Sequence, residues 1–467
     1  MIPSAGMRLS AFTGRINRIS TSGSGDPEIT GLAYDSRRVG PGYLFFALPG
    51  IHVDGHDFIP QAVDRGARAV ICSRDLDFGS LPGAGGDVLY IRVPDTRRAM
   101  SGAAAAFYGN PSKRLRVVGV TGTDGKSTTV FFIRQLLELA GHRAGFLSTV
   151  QYSLGPEIRS NPFRQSTPEA VEIHRILAEM ADAGNGTAVV EATSHGLSER
   201  TARLEDVRFE AAVFTNISHE HLEFHGTFER YLHDKSRLFS KLDEAAAEGA
   251  AFESRPFGVV NAADPAADHM RSVTGHPVFG YRLFPGDNRG NRDDPADSAD
   301  LTGRVTEETP DSLGMIIAYG GQSVETTLPM PGSFNGENAL AALLTVSRLV
   351  DTGPLELAPF LARLEPVKGR MNPVKAGQPF TVLVDYAHTP GSFSRLFPLM
   401  RERTPGRLIA VFGSAGERDR DKRPVQGRIA GEYADLIILT DEDPRGEEPL
   451  AVLGEIAAGI GGKTEGK

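Results

Sequence analysis

A glycine-rich segment at residues 119–129, Gly-Val-Thr-Gly-Thr-Asp-Gly-Lys-Ser-Thr-Thr, has the residue types that bind nucleotide phosphates. It follows the β-branched run RLRVVGV, which predicts a buried strand, and it precedes apolar residues at helical spacing. A strand that turns into a helix N-terminus directs backbone N–H groups and the helix dipole at one anion. Lys126 could reach the outer phosphates, and the Ser127 hydroxyl could ligate Mg²⁺.

The spacing of this segment departs from the usual phosphate loop, since five residues rather than four separate Gly119 from Gly125. An accidental Lys-Ser pair in a strand–helix turn is therefore the alternative. The strand before it and the amphipathic helix after it favour ATP or GTP binding, which does not name a reaction by itself.

Polar residues also follow two other predicted strands. Glu191 lies near the end of TAVVEA, and Asn216 ends AAVFTN and leads into His219, His221 and His225. Ligands of doubly wound sheets bind at the carboxyl ends of strands, so these residues could lie beside the phosphates. A carboxylate and an imidazole there predict a second Mg²⁺ site, although imidazole is an unusual ligand for so hard a cation. A zinc site, or histidines that are hydrogen-bonded within a loop, are the alternatives.

Strands that alternate with helices run through most of the chain and predict an α/β protein with a mostly parallel sheet. At about 150 residues per domain, 467 residues correspond to about three domains. Proline-containing boundary signals place the domain limits near residues 113 and 365. The polar residues 284–312 are interpreted as a surface excursion with a flanking hairpin. From residue 380, FTVLVDYA, RLIAVFGS and ADLIILTD predict three further strands.

Composition and charge exclude several classes of protein. With 40% apolar and 23% charged residues, the chain has the composition of globular domains. Its 50 basic and 59 acidic residues leave a net charge of −9, which disfavours a broad nucleic-acid surface. The sequence contains no apolar run of about 18 residues, as a membrane helix requires, and its single cysteine, Cys72, cannot form an internal disulfide. We expect a soluble, cytoplasmic protein with no nucleic-acid or membrane partner.

Eleven motifs follow one another from about residue 30 onwards. They are DSRRVGPGYLFFALPGIHVDGHDFI, GVTGTDGKSTT, STPEA, EATSHGL, VFTNISHEHLEFHGT, YLHDKSRLF, LPMPGSFNGENALAAL, VKGRMNPV, VDYAHTPGSF, GSAGERDRDKRP and TDEDPRGEEP. Together they resemble the Mur ligases, ATP-dependent amide-forming enzymes of peptidoglycan synthesis, and among them the UDP-N-acetylmuramoyl-tripeptide synthetase type. The resemblance implies an N-terminal UDP-binding α/β domain (1–113), a central P-loop ATP-binding domain with a mostly parallel sheet (114–364) and a C-terminal Rossmann-like α/β domain (365–467).

The resemblance also implies roles for residues around the phosphate loop, whose spacing is the form that this family uses. Lys126, Lys235 and His221 would be catalytic; Ser127 would hold one Mg²⁺, and Glu191 and His221 a second. By its position alone Lys235 is a solvated helical lysine, but it matches the lysine that the family carbamylates with CO₂. The implied ATP contacts are Gly122, Thr123, Asp124, Gly125, Lys126, Ser127, Thr128, Asn338 at the adenine, Arg370 and Asp385 at the ribose, and His388.

The substrate that the resemblance implies is UDP-MurNAc-L-Ala-D-Glu, to which a dibasic amino acid is added. ATP would phosphorylate the D-Glu side-chain carboxylate, and the amine of diaminopimelate, lysine or ornithine would attack the acyl phosphate. The implied substrate contacts are Ser36 at the UDP end, Thr167, Thr193 and Arg203 at the muramoyl dipeptide, and Arg418, Asp443 and Arg445 in the amino-acid pocket.

Two features depart from the pattern of the family. The pocket motif reads Asp443-Pro-Arg445, where diaminopimelate-adding members have Asn-Pro-Arg. Arg445 suits the distal carboxylate of diaminopimelate, whereas Asp443 suits the side-chain ammonium of lysine or ornithine, so the amino acid stays open. The sequence closes on GGKTEGK without a Gly-Lys-Gly-His-Glu motif, which predicts a C-terminal domain that lacks its end.

Two alternative functions stay open at this point. One is a Mur-like protein that binds nucleotide or UDP-sugar peptide without turnover, which the missing C-terminal motif favours. The other is a folylpolyglutamate-synthase-like ligase, which the DSR-containing segment ahead of the phosphate loop disfavours. We expect a monomeric ligase that uses ATP, two Mg²⁺ ions and a carbamylated Lys235.

Overall fold

The first hundred residues form a five-stranded sheet with helices on both faces. The computed structural model describes residues 6–14, 16–50, 53–83, 86–163, 165–218, 220, 222–247, 255–286, 299–309, 311–374 and 376–461. Its first elements are β1 (Met7–Arg8), α1 (Leu9–Thr13), β2 (Ser20–Ser22), β3 (Glu28–Ile29), β4 (Gly31–Ala33), β5 (Tyr43–Phe46), α2 (Ile59–Asp64), β6 (Ala69–Cys72), β7 (Leu89–Arg92) and α3 (Thr96–Phe107). The sheet order is β2-β7-β6-β5-β4, with only β2 antiparallel to its neighbour.

A second, eleven-stranded sheet is built from residues 116 to 328. Its strands are β8 (Arg116–Thr121), β9 (Ala144–Leu147), β10 (Gln151–Ser153), β11 (Ile158–Ser160), β12 (Thr187–Glu191), β13 (Ala211–Phe214), β14 (Phe257–Asn261), β15 (Val278–Phe284), β16 (Leu301–Glu308), β17 (Leu313–Tyr319) and β18 (Gln322–Leu328). They lie in the order β11-β10-β9-β12-β8-β13-β14-β15-β16-β17-β18. The strands from β9 to β16 in this order are parallel, and antiparallel hairpins complete both edges. The prediction of an α/β protein with a mostly parallel sheet is confirmed.

Helices cover both faces of this second sheet, as the buried strands require. They are α4 (Lys126–Leu139), α5 (Ala170–Asp182), α6 (Ser194–Leu197), α7 (Leu222–His225), α8 (Phe228–Ala247), α9 (Ala267–Ser272), α10 (Ser333–Val350) and α11 (Pro354–Leu357). Val118 and Val120 of β8 pack into an apolar cluster with α4 and α10, whereas Val117 points to the cluster with α5 and α8. This alternation follows from the period of two along a strand.

The polar stretch 284–312 is only partly the surface excursion that its composition predicts. Residues 301–308 form β16, in which Leu301 and Gly303 are buried, and β16 and β17 make the expected hairpin. A polar segment can still form a strand, because every second residue can face solvent while the residues between them are buried. Residues 287–298 lie outside the described part of the chain.

The last part of the chain contains two small sheets and three helices. The elements are β19 (Asn372–Pro373), β20 (Leu383–Val384), α12 (Pro390–Arg403), β21 (Ile409–Phe412), α13 (Lys422–Tyr433), β22 (Leu436–Leu439) and α14 (Pro449–Ala457). The strands predicted at RLIAVFGS and ADLIILTD are confirmed, and they pair in parallel as β21 and β22. The strand predicted over FTVLVDYA is wrong in extent, because only Leu383–Val384 is a strand and it pairs with β19. The periodicity of one segment does not show which other segment pairs with it, and a strand forms only where it is paired.

We expect removal of the Phe132 ring to destabilise the second sheet strongly. Phe132, on α4, is fully buried in the cluster with α10, so Phe132→Ala leaves a cavity and costs about 3–5 kcal/mol in the free energy of unfolding. Urea denaturation measures the loss. Leu450→Ala, at a side chain that is 74% exposed, is the control and should change it by less than about 0.5 kcal/mol. Equal losses in both variants would contradict the core position of Phe132.

Candidate active site

The loop between β8 and α4 has the geometry of a phosphate-binding loop. The helix begins at Lys126 directly after Gly125, whose φ of 83° lies in the left-handed region, and Gly122 has a φ of 147°. A Cβ atom on Gly122 would lie 1.9 Å from the Thr215 Oγ1 atom, and one on Gly125 would lie 2.3 Å from Asn338 Oδ1. Both positions therefore require glycine. The strand and helix predicted around this loop are confirmed.

Two lysines lie at the loop, and one of them is buried. Lys126 Nζ donates to the Thr123 carbonyl at 2.7 Å, and Lys235 Nζ donates to the Gly122 carbonyl at 2.6 Å. Lys235 is 1% exposed, so its position on a helix wrongly predicted a solvated side chain. Burial, and then the neighbouring charge of Lys126, hold the pKa of Lys235 well below its usual 10.5. Its amine is therefore far more readily neutral, and hence nucleophilic, than that of a surface lysine.

The Glu191 carboxylate contacts the first turn of α4. Its Oε2 atom accepts from the Ser127 hydroxyl at 2.8 Å and from the Thr149 N–H at 2.9 Å, and its Oε1 atom accepts from Thr149 Oγ1 at 2.9 Å. It is 2% exposed. Hydroxyl and carboxylate oxygens are the ligands that Mg²⁺ prefers, so Ser127 and Glu191 fit that ion.

The histidine segment after β13 is described only in part. His219 and His221 lie outside the described residues, so the imidazole half of the predicted second Mg²⁺ site does too. Both ring nitrogens of His225 have protein partners: Nδ1 lies 2.8 Å from Asp234 Oδ2, and Nε2 lies 3.0 Å from Ser194 Oγ. His225 is thus hydrogen-bonded within the fold. Within the described ranges, no group of three or more His, Cys, Asp or Glu side chains is arranged to hold a metal ion.

A cavity of about 680 Å³ lies between the carboxyl edge of the second sheet and the part of the chain from Lys368 to Arg445. The predicted site residues that line it are Thr123, Asp124, Gly125, Lys126, Ser127, Thr167, Glu191, Thr193, Arg203, Lys235, Arg370, Asp385, His388, Arg418, Asp443 and Arg445. An adjoining cavity of about 80 Å³ shares Asp124, Gly125, Arg370 and Asp385 with it and is also lined by Thr128 and Asn338. Residues that lie more than 300 positions apart in sequence thus meet in one space.

Ser36 is not brought to this cavity. It lies in the 3-10 turn Ser36–Arg38, is 6% exposed, and its hydroxyl donates to Gln61 Oε1 at 2.5 Å. Gly122 does not line the cavity either, and its carbonyl contacts the Lys235 amine instead.

The three residues predicted at the muramoyl dipeptide lie together beside Glu191. Thr167 Oγ1 donates to the Glu191 carbonyl at 2.8 Å and lies 2.9 Å from Thr193 Oγ1. The Arg203 guanidinium donates to the Thr167 carbonyl at 3.1 Å and pairs with Glu169 at 2.9 Å. Arg97 of α3 also pairs with Glu169, at 3.2 Å, so this wall of the cavity is joined to the first sheet.

The opposite wall carries the predicted ribose and amino-acid residues. Arg370 Nη2 lies 3.4 Å from Ser127 Oγ, and its guanidinium lies 4.5 Å from the ring centre of Tyr386. His388 Nε2 lies 3.4 Å from Glu220 Oε1 across the cavity. Arg445 Nε lies 3.3 Å from Asp443 Oδ2, so the two charges of the pocket motif are paired.

Sequence reasoning missed several residues that line the cavity, among them Glu220, Thr149 and Tyr231. Glu220 faces His388 in the cavity, and Thr149 binds Glu191. The Tyr231 hydroxyl lies 3.0 Å from Thr123 Oγ1, and its ring centre lies 4.4 Å from Lys235 Nζ. Tyr231 could have been found, because it precedes Lys235 by four residues and so shares its helix face. Thr149 follows a strand of the same sheet but carries no motif.

No helix in the described part of the chain combines the length and the apolar character that crossing a membrane requires.

Three family models match successive parts of the chain. They are described as Mur ligase family, catalytic domain (residues 28–108), Mur ligase middle domain (residues 120–346) and Mur ligase, glutamate ligase domain (residues 369–465).

Curated proteins and solved structures are similar over most of the chain. A UDP-N-acetylmuramyl-tripeptide synthetase of Roseiflexus sp. (strain RS-1) is 48% identical over 435 residues, which are 93% of this chain and 82% of that protein. A UDP-N-acetylmuramoyl-L-alanyl-D-glutamate–2,6-diaminopimelate ligase of Geobacillus thermodenitrificans (strain NG80-2) is 37% identical over 459 residues, which are 97% and 87% of the two chains. A solved structure with the same ligase name has a TM-score of 0.66 and 27% identity, over 97% of this chain and 85% of that one.

We expect Gly125→Ala to weaken ATP binding at least about tenfold, because the new Cβ collides with Asn338 and displaces the loop N–H groups. Gly141→Ala is a matched control. Gly141 follows the same helix with an almost equal φ of 85°, but no atom lies within 4 Å of its Cβ position. Titration with a fluorescent ATP analogue measures the affinity of both variants. Equal loss of affinity in the two variants would show that backbone strain, not the loop contact, is responsible.

Proposed function

The chain belongs to the Mur ligase family of ATP-dependent amide ligases, and we propose that it adds a dibasic amino acid to UDP-MurNAc-L-Ala-D-Glu in peptidoglycan synthesis. The observation that carries the proposal is one cavity that contains the phosphate loop, Glu191 and Lys235 together with Arg418 and Arg445. The names of the two relatives, a tripeptide synthetase and a diaminopimelate ligase, support it. We assign residues 1–113 to UDP binding, 114–364 to ATP binding and 365–467 to amino-acid binding.

The reaction has two steps. In the first, an oxygen of the D-Glu side-chain carboxylate attacks the γ-phosphorus of ATP, which gives an acyl phosphate and ADP. In the second, the amine attacks the acyl carbon, loses a proton and expels inorganic phosphate, so that an amide bond forms. Lys126 neutralises charge on the phosphoryl group that is transferred, and the loop N–H groups hold its oxygens. Alignment of the two substrates in one cavity removes much of the entropic cost of their meeting.

We assign Mg²⁺ to Ser127 at one site and to Glu191 with His221 at a second. An Mg²⁺ ion bound there would neutralise phosphate charge during the transfer. Ser127 and Glu191 support Mg²⁺ binding at the start of α4, since both offer hard oxygen ligands there. Asn338, Arg370 and Asp385 line the adjoining cavity, a position that suits the adenine and the ribose.

We assign a carbamate to Lys235. The neutral amine attacks CO₂, a C–N bond forms, and one proton leaves to solvent, so that a neutral side chain becomes an anion. The burial of Lys235 and the lowered pKa of its amine support this step, because only the neutral amine has a free electron pair. A negative charge there would also pair with the neighbouring Lys126 rather than repel it.

The amino-acid end of the cavity has features for a zwitterion with a second charged group. Arg418 and Arg445 can bind carboxylates, and Asp443 can bind an ammonium. We propose diaminopimelate, lysine or ornithine as the candidates. We also propose a cytoplasmic monomer, which suits a single cysteine that is buried and unpaired, Cys72.

We expect phosphate release from ATP and UDP-MurNAc-L-Ala-D-Glu to depend on the addition of one of lysine, ornithine or diaminopimelate. Lys126→Ala should lower the rate by about a hundredfold or more, because the transferring phosphoryl group loses its counter-charge. A coupled phosphate assay measures the dependence on the amino acid and the rate of the Lys126→Ala variant. If none of the three amino acids stimulates release, the ligase function is excluded for this chain.

We expect Lys235→Ala to lose about a hundredfold or more of the turnover, and added acetate or formate to restore part of it by supplying the missing carboxylate. Lys241→Ala is the matched control. Lys241 lies on the same helix and is 4% exposed, but its amine donates to the Glu205 carbonyl away from the cavity. Steady-state turnover rates of both variants, measured with and without added acetate or formate, test this expectation. A Lys235→Ala variant with unimpaired turnover would remove the carbamate from the mechanism.

A further inference from the structure

A fully buried arginine, Arg423, holds together the two loops that carry the amino-acid end of the cavity. Its side chain is 0% exposed and does not line the cavity. Its two terminal nitrogens fork onto the Glu447 carboxylate, each at 2.9 Å. Nη2 also donates to the Ala415 carbonyl at 3.2 Å, and Nη1 to Glu455 at 2.7 Å. One guanidinium therefore contacts both the loop at Ala415 and the loop that ends at Glu447.

The two loops are also tied directly to each other. The Gly416 N–H donates to the Asp443 carbonyl at 2.8 Å, and the Glu417 N–H donates to Glu447 Oε1 at 2.6 Å. A Cβ atom on Gly416 would lie 1.9 Å from the Pro444 carbonyl oxygen, so the backbones are in contact. Arg418 follows directly on one loop, and Asp443 begins the other.

Both loops contain a backbone conformation that side chains disfavour. Glu417 has a φ of 52° and Arg445 a φ of 53°, in the left-handed region where glycine is usual. Such residues persist only where the surroundings hold them, and they cluster at binding sites. The Glu447 carboxylate accepts a hydrogen bond from the Glu417 N–H, and the Arg423 hydrogen bonds lower the pKa of Glu447 to about 2. The carboxylate is therefore ionised at neutral pH.

We propose that Arg423, through Glu447, is a positioning residue for the incoming amino acid. It sets the distance between Arg418 on one loop and Asp443 and Arg445 on the other, without touching the substrate. The inference rests on the proposed function, since it assigns these three residues to amino-acid binding. The planar fork of an arginine is needed, because a lysine ammonium cannot bind both Glu447 oxygens and the Ala415 carbonyl in this geometry.

The test is Arg423→Lys, compared with Arg420→Lys. Arg420 reaches the same two carboxylates, Glu455 and Glu447, from the solvent side, but it is 62% exposed and contacts neither loop backbone in the described structure. We expect Arg423→Lys to raise the KM for the amino acid about tenfold or more and to leave the KM for ATP within about twofold. Arg420→Lys should leave both unchanged. We also expect the Arg423→Lys variant to discriminate less between lysine and ornithine, which differ by one methylene.

Three results would overturn the inference: an unchanged KM for the amino acid, equal increases in both KM values, or the same effect in Arg420→Lys. If Arg423→Lys does not fold, Glu447→Gln replaces it, because it weakens the fork and keeps the shape of the side chain. Wild-type protein that shows no amino-acid-dependent phosphate release would overturn the proposed function and this inference with it. Wild-type turnover with normal KM values in the variants would overturn the inference alone.

Discussion

The parallel pairing of β12 and β13 along the two edges of β8 is the constraint on which the site depends. Its register places Glu191 level with Val120, and Phe214 level with Thr121. Three strands therefore end at one edge of the sheet, where their loops meet. The phosphate loop, the carboxylate that contacts Ser127 and the segment that leads to the histidines are all consequences of this register. A shift by one residue would turn each of these side chains to the other face.

Charges of both signs meet at this edge, since Asp124, Glu191 and Glu220 line the same cavity as Lys126 and Lys235. Lys126 lies at the start of α4, and Lys235 lies behind the same loop. The carboxylates of Glu220, Asp124 and Glu191 favour the charged form of Lys235, whereas Lys126 disfavours it. Burial makes the second positive charge costly, which is why the pKa of Lys235 falls. A carboxylate on this lysine would remove the repulsion between the two amines.

The first and last parts of the chain are joined to the central sheet in different ways. Residues of α5 pack into the apolar cluster of the first sheet, and Arg97 and Arg203 meet on Glu169. The last part has an apolar cluster of its own, and its contacts across the cavity are polar, such as His388 with Glu220. The cavity wall that carries Thr167 is thus joined to the apolar core. The opposite wall contacts the central sheet through polar side chains.

Local features of the fold were readable from the sequence because they depend on residues that are close along the chain. The phosphate loop, its flanking strand and helix, and most strands of the parallel sheet follow from side-chain type and period. The eleven motifs also identified the family, which the comparisons confirm. Where a partner segment decides the structure, the sequence was less informative: FTVLVDYA has strand character, but only Leu383–Val384 is paired.

Sequence by itself thus determined the family, the α/β fold and the residues that could bind phosphate. Only the tertiary structure decided which side chains are buried and what they contact. Lys235 and Arg423 are both long cationic residues on helices, and residues of these types are mostly exposed to solvent. Packing removes both from water, and it leaves the first beside a like charge and the second inside a fork of carboxylates. The energy of a charge depends on its burial and its neighbours, and distant segments of the chain supply both.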